Sequence, residues 1–337
     1  MECEYASLLF MIHNTDRYKR IQTWTELKLT KRRKKLIKTR EKQKKKSQIR
    51  EWIEALLWAV IVVFLINQYI FQLYEIPTPS MENTLLVKDR VFVNKFTYGP
   101  EIYPGGPKIL SFNKPERNEI IVFENPNYLS RGPIFDVVNR IVYMITFSLV
   151  NLDKDENGNP RSQLYVKRAI GLPGDIVNFE KGNVYIQPEG YAEKLSEEDF
   201  RIVSGYDFPM KRQIPAVDYK AFSAAAYKQA YTSKNIILPA SLTDNTLGTS
   251  SNFIDYYHFY REYYAMQKKI DPSDGNLQSL SARYKNGFYI PENYVLPFGD
   301  NRDNSSDGRY FGPIAFKNVL GKTIFKFWPL NRIGIAK

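Results

Sequence analysis

One membrane-spanning helix, followed by a mostly β, antiparallel domain that carries an inserted lobe of mixed helix and loop, is the architecture predicted by the sequence. Three observations carry it. There is a 20-residue apolar run at Trp52–Phe71, then a series of short β-branched and aromatic segments, and then a polar, tyrosine-rich stretch that interrupts them. The predicted parts are a basic N-terminal segment (1–51), a transmembrane helix (52–71), a β-rich domain in two pieces (72–187 and 286–337) and the inserted lobe (188–285). At 337 residues, with 43% hydrophobic and 15% aromatic content, the chain can bury a sizeable core.

The N-terminal segment holds the charge. Against 36 Asp+Glu the chain has 48 Lys+Arg, a net +12, and Lys28–Arg50 alone holds 13 cations and one acid, Glu41, so the remainder sums to zero. Such a run suits an anionic membrane surface or nucleic acid. Its lack of interleaved aromatics speaks against nucleic acid. Directly after it, 17 of the 20 residues in Trp52–Phe71 are apolar, with Glu54, Asn67 and Gln68 near the ends. Twenty helical residues rise about 30 Å, one hydrocarbon thickness, and a buried core helix would show a polar face. The run lies too far along the chain, and lacks an A-x-A site, for a removable signal peptide. Cations before the span keep the first 50 residues in the cytoplasm and place everything after residue 72 on the other side. Each cation near an anionic surface adds about 1 kcal/mol.

Beyond the span, Arg90–Phe96, Glu119–Phe123, Leu164–Ile170, Asp175–Phe179 and Asn183–Ile186 read as strands between Gly, Pro and Asn turns. Ile134–Leu152 has apolar residues at helical spacing opposite Asp136, Asn139, Arg140 and Tyr143, and its unbroken apolar part is too short to span. A membrane-interface helix and a buried core helix are both open for it, with a second span as the lesser alternative.

Scarce residues limit the chemistry. One cysteine, Cys3, excludes an intramolecular disulfide and a thiolate zinc site; the histidines are His13 and His258. His258 sits among aromatic residues with no carboxylate at a motif spacing, and reads as packed or solvent-exposed. Two acidic loops begin like a calcium loop, at Asp153 and Asp303, but position 12 is Leu164 in one and Ile314 in the other, so both read as turns. No metal and no cofactor is expected.

The informative constellation is elsewhere. In Ile76-Pro77-Thr78-Pro79-Ser80-Met81 two prolines rigidify the backbone and deliver a hydroxyl in a non-helical turn. Lys167 occupies a strand segment flanked by Val166 and Ile170, a cation among apolar neighbours, and Gly299–Gly312 is a dense cluster of turn formers and charges. A serine nucleophile needs a base, and with histidine nearly excluded lysine is the obvious candidate. Holding an exposed lysine neutral at pH 7 costs roughly 4.6 kcal/mol, so burial must lower its pKa. The bland alternative is a half-exposed strand lysine.

These segments carry a resemblance. IPTPSMENTLLVKDRVFVNKFTYG (76–99), NEIIVFENP (118–126), YVKRAIGLPGD (165–175) and GDNRDNSSDGRYFG (299–312) are similar to the four boxes of the bacterial type I signal peptidases, or leader peptidases, in that family's order behind one N-terminal span. The resemblance covers about 75–187 and 288–330. It implies a signal-peptidase-like β fold with Ser80 as nucleophile and Lys167 as general base. It further implies that the Thr78 hydroxyl and the Ser80 N–H form the oxyanion hole, that Ser305 hydrogen-bonds the lysine, that Asp307 and Arg309 form a supporting ion pair, and that Arg168 follows the base. Tyr74, Ile76, Met81, Leu85, Val91, Val122 and Val166 fall where that family lines shallow pockets for small side chains at −1 and −3. Two departures stand out: Pro79 replaces a frequent Gly, and Glu82-Asn83 replaces x-Pro.

The function expected from the resemblance is a membrane-bound serine endopeptidase that removes signal peptides after A-x-A from exported preproteins. It would be single-pass in the bacterial cytoplasmic (inner) membrane, with its N-terminus cytoplasmic and its catalytic domain outside. Preproteins and the lipid bilayer are the expected partners, with the export machinery as a further one. Two competing classes are a related Ser/Lys protease that cleaves itself or a regulator, which needs no span, and a non-enzymatic tethered β domain.

Overall fold

The computed structural model describes residues 2–44, 48–103, 105–109, 113–206, 210–243 and 249–336. They fall into two compact units, Met1–Val62 and Val63–Lys337.

In the first unit, helix α1 (Glu2–Lys44) carries the basic run as far as Lys44, and its described side chains are exposed. The side chains of Cys3 and His13, and residues 45–47 of the basic run, lie outside the described residues. Helix α2 (Gln48–Tyr69) contains 20 residues, Arg50–Tyr69, long and apolar enough to cross a membrane, and only 11% of that window is buried within the molecule. Trp52 and Trp58 are exposed, so this apolar surface is not a protein core. The helix ends two residues before the expected 71. The Ile70 carbonyl accepts from Lys95 N at 3.0 Å, and Phe71 pairs with Asn94 at the start of a strand.

The second unit is built on an antiparallel sheet of eight strands. They are β1 (Phe71–Glu75), β2 (Arg90–Asn94), β3 (Ile120–Glu124), β4 (Leu164–Gly171), β9 (Tyr294–Phe298), β10 (Ile314–Ala315), β11 (Val319–Trp328) and β12 (Gly334–Ile335). Their order is β1-β2-β11-β3-β4-β9-β10, with β12 on β11. A second sheet, in the order β7-β6-β5-β8, comprises β5 (Ile176–Glu180), β6 (Asn183–Gln187), β7 (Leu195–Ser196) and β8 (Phe288–Tyr289). The central β3 is buried at Ile120, Ile121, Val122 and Phe123, as a continuous apolar run requires when both faces are covered. On one face Val122 joins Tyr74, Ile76, Met81, Leu85 and Val91; on the other Ile121 and Phe123 join Tyr98, Ala169 and Val319.

Helix α3 (Pro133–Ile145) is shorter than the expected 134–152. Phe147 and Ser148 take φ of +52° and +68°, which no helix continues through, and Leu152 N donates to Asn139 Oδ1 at 2.7 Å, turning the chain back. The face carrying Asn139 and Met144 is buried while Ile134 and Val138 are exposed.

The lobe holds α4 (Glu197–Ser204), α5 (Asp218–Ser233), α6 (Ala240–Thr243), α7 (Tyr256–Ile270) and α8 (Gly275–Asn286). Ser196, Asp255 and Asp274 cap the N-termini of α4, α7 and α8 by accepting backbone N–H bonds. Tyr219, Phe222, Ala226 and Ala230 form the buried stripe of α5, which packs on α7. His258 is buried there, its Nε2 2.9 Å from Ser223 Oγ and its ring edge-on to Tyr219, which settles the packed reading over the exposed one.

Candidate active site

The chain leaves β1 through Ile76, Pro77 and Thr78 and forms a 3₁₀ turn at Pro79–Met81 that buries Ser80. Pro79 takes the first position of that turn, where the fixed φ of proline fits and a donor is not needed, so the replacement of a glycine here costs nothing. Asn83 has φ +88°, a value closed to proline, so the local backbone after Met81 departs from an x-Pro segment. The segment 299–301 clamps this turn. Asn301 N donates to the Ser80 carbonyl at 3.0 Å, and Asn301 Nδ2 donates to the Pro79 carbonyl at 3.2 Å and to Glu82 Oε2 at 3.0 Å. Gly299 must lack a side chain, because a Cβ there would lie 2.2 Å from Ser305 Oγ and 2.5 Å from the Ser80 backbone carbonyl oxygen.

Lys167 projects from β4 and its Nζ donates to Ser80 Oγ at 2.5 Å, with the two residues 3% and 7% exposed. The neighbours of Lys167 on its face of the strand are Tyr165 and Ala169. Val166 and Ile170, expected beside it, alternate to the opposite side and join other clusters. Burial, helped by Arg309, lowers the Lys167 pKa to about 8 against the opposing pull of Asp307 and Asp300. Thr78 Oγ1 stands 3.4 Å from Ser80 Oγ.

Two buried ion pairs surround the lysine. Asp307 accepts from Arg309 Nε at 2.9 Å and Nη2 at 3.0 Å, and from Gly299 N at 3.0 Å. Burial alone would raise the Asp307 carboxyl; Arg309, Gly299 and Lys167 together outweigh it and hold the carboxyl below its usual range. Asp307 also caps the short helix α9 (Gly308–Phe311). Arg168 is completely buried and meets both oxygens of Asp300, at 2.8 and 2.7 Å, while its Nη1 donates to the Asn118 carbonyl at 2.9 Å. Ser305 corrects an expectation. Its hydroxyl is buried without a hydrogen-bond partner and does not reach Lys167; it packs against Gly299 instead.

A cavity of about 480 Å³ lies beside this group, between β1 and the start of β4. Neither Ser80 nor Lys167 forms its wall. It approaches them through Pro77 on one side and Val166, the residue before Lys167, on the other. Of the residues expected to line a pocket, Tyr74, Val122 and Val166 border this cavity. Ile76, Met81, Leu85 and Val91 do not border it; they pack in the apolar cluster behind it.

The acidic loop that begins at Asp303 is a docking point for the lobe. Asp303 accepts from Arg212 Nε at 3.1 Å and from Ile214 N at 2.9 Å. Lys211 pairs with Asn301 as an isolated bridge, its N donating to the Asp300 carbonyl at 2.8 Å, and its Nζ reaches Glu82 Oε2 at 2.9 Å. The loop that begins at Asp153 is a turn whose Asp155 Oδ1 accepts from Asn157 N and Asn159 N, with Asp153 paired to Arg131. The residues missed in the sequence are Asp300, Asn301, Asn118, Glu82 and Lys211. The first two lie inside the cluster at 299–312 and could have been singled out as the acid and amide flanking a glycine; Lys211 carried no signal.

A family model described as signal peptidase, peptidase S26 matches residues 49–328. The chain is 26% identical over 291 residues to a signal peptidase I of Buchnera aphidicola subsp. Baizongia pistaciae, covering 83% of this chain and 77% of that protein. It is 27% identical over 287 residues to one of Haemophilus influenzae, covering 85% and 71%. It is also 27% identical over 285 residues to one of Aquifex aeolicus, covering 83% and 84%.

Proposed function

The chain belongs to the signal peptidase, peptidase S26 family, and from that premise we propose that it cleaves signal peptides from preproteins with Ser80 as nucleophile and Lys167 as general base. The observation that carries the roles is the buried 2.5 Å contact between Lys167 Nζ and Ser80 Oγ. With the amine neutral, the Ser80 hydroxyl donates its proton to Nζ as Oγ attacks the scissile carbonyl carbon. The oxyanion that forms is held by the Thr78 hydroxyl and the Ser80 N–H, two donors worth several kcal/mol. The Lys167 ammonium then protonates the leaving amine, releasing the mature protein, and the neutral amine activates the water that hydrolyses the acyl-enzyme. Asp307, Arg309 and Arg168 position the lysine strand and the loop at 299–309. Ser305 supports that loop by packing.

Tyr74, Val122 and Val166 give the cleft a wall suited to small side chains, in keeping with A-x-A sites. The span at Arg50–Tyr69, with the basic run before it, supports a single-pass protein of the bacterial cytoplasmic membrane whose N-terminus stays inside. The lipid bilayer is then a partner throughout, and the export machinery delivers the substrate.

The test is cleavage of a purified preprotein by the full-length chain in detergent. Wild type cuts after A-x-A, while Ser80→Ala and Lys167→Ala each lose three or more orders of magnitude in kcat. Retained cleavage by either variant sinks the dyad.

A further inference from the structure

An antiparallel strand turns its pairing groups alternately to its two sides. In β1 the even-numbered residues face β2, as the Ile70 carbonyl accepting from Lys95 N and Ile76 N donating to the Asp89 carbonyl show. The odd-numbered Leu73 and Glu75 turn theirs to the opposite side, where β1 is the edge of the sheet. That edge is occupied. Tyr143 OH receives the Glu75 N–H at 3.5 Å, and Ser148 Oγ donates to the Leu73 carbonyl. Both side chains come from α3 and the turn after it, so this arm stands where an extended peptide lying along β1 would lie.

The facing side of the cavity is open in that sense. β4 pairs with β9 only from Arg168 onward, so no strand covers that side of Leu164–Val166 among the described residues; the Leu164 carbonyl accepts from Ser162 Oγ at 2.5 Å, and the edge is open at Val166. A peptide that presents its scissile bond to Ser80 therefore has the β4 edge at Val166 to pair with, while on the other side the outward Leu73 carbonyl and Glu75 N–H of β1 are already taken. Upstream it meets the Tyr143 ring, which lies 6.1 Å from the Tyr74 ring and forms the cavity wall together with Val122, Leu164 and Val166. The wall is fixed to the body. Arg140, one turn earlier on α3, pairs with Glu101 at 3.3 Å and Glu124 at 3.7 Å, and Asn139 holds Leu152 N.

Resting on the assignment of Ser80 and Lys167 above, we propose that Tyr143 is a specificity-determining residue: its ring closes the upstream end of the cleft and sets the size of the side chain accepted at −3. In the sequence Tyr143 shows only as part of the polar face of 134–152; the role comes from its fold contact with β1.

The experiment uses the full-length protein in detergent and a preprotein series that differs only at −3, with Ala, Val, Leu or Phe. Excess bulk in an apolar pocket costs about 10–200-fold. Tyr143→Ala is therefore expected to raise the ratio of kcat/KM for Leu over Ala at −3 by at least about tenfold, while Tyr143→Phe, which keeps the ring, leaves the ratio unchanged. Should Tyr143→Ala fail to fold, Tyr143→Leu fills more of the space and is expected to raise the ratio in the same direction. An active Tyr143→Ala or Tyr143→Leu with the wild-type ratio overturns this proposal alone. Failure of the wild type to cut any member of the series, or cutting by Ser80→Ala, overturns the dyad as well.

Discussion

Lys167 Nζ stands 2.5 Å from Ser80 Oγ inside the fold, and burial brings the amine to a pKa of about 8. Below that pH the amine is an ammonium with no lone pair to accept the serine proton. The rate constant kcat/KM on a preprotein is expected to rise with pH, reach half its plateau near pH 8 and level off above it. A flat profile between about pH 6 and 10 would remove Lys167 from the role of base.

The same burial has a cost in stability with a definite sign. The unfolded chain keeps its lysine near 10.5, so between about pH 8 and 10.5 the unfolded state holds the extra proton and stability rises with pH through that window. Below about pH 8 the cost is fully present. Lys167→Met should therefore stabilise the protein more at pH 7 than at pH 10.5, by roughly 2–3 kcal/mol. Chemical denaturation at the two pH values checks it; an equal effect at both would mean the buried amine is not shifted.

Much of this was legible before the structure because the signals are local. The span, five of the strands and the Ser80, Lys167 and 299–312 segments each show in a short window of sequence. The longest strand, β11, did not show, because Gly321, Lys322 and Lys326 break its apolar pattern while neighbouring strands on both sides still bury it. Strand β9 was hidden by Pro297, and β1 by the apolar run that leads into it. The lobe's hold on the turn that carries Ser80 was beyond reach, since Lys211 and Glu82 are 129 residues apart and neither sits in a periodic pattern. The Ser305 contact failed for a different reason: a matching segment fixes which residues come near one another, not which atoms touch.

Arg168 and Asp300 meet through two parallel bonds with no solvent around them. Removing one partner of such a pair strands a buried charge, so Asp300→Ala is expected to cost about 3–5 kcal/mol, and Arg168→Met combined with Asp300→Leu much less than the sum of the single changes. The carboxylate also raises the Lys167 pKa. Asp300→Asn, if it folds, should shift the midpoint of the activity profile below about pH 8. A midpoint that stays put or moves up would contradict that electrostatic link.

Ile134 and Leu149, on and just after α3, are 80% and 66% exposed, and Arg131 lies close by in the chain. Seating these side chains in the lipid interface would remove apolar area worth about 1.5–3 kcal/mol per side chain. Ile134→Ser with Leu149→Ser is expected to lower the rate in anionic vesicles several-fold while leaving the rate in detergent unchanged. Equal rates in both settings would mean that these side chains face water.

Glu82 and Lys211 meet at 2.9 Å with about a third of each side chain exposed, so solvent screens the pair and its share of stability is about 0–1 kcal/mol. Its effect on turnover should be larger than that figure suggests. Glu82 also receives Asn301 Nδ2, and Asn301 holds the carbonyls of both Pro79 and Ser80. Loosening Glu82 therefore relaxes an amide that holds the backbone on either side of the Ser80 side chain, and misplacement of a reacting group by about 1 Å can cost 100-fold. Lys211→Met and Glu82→Ala are expected to unfold at denaturant concentrations close to wild type while kcat falls about tenfold and KM changes little. If kcat and stability instead fall in proportion, the lobe acts only as a scaffold, and if neither moves, Asn301 holds the turn without help from Glu82.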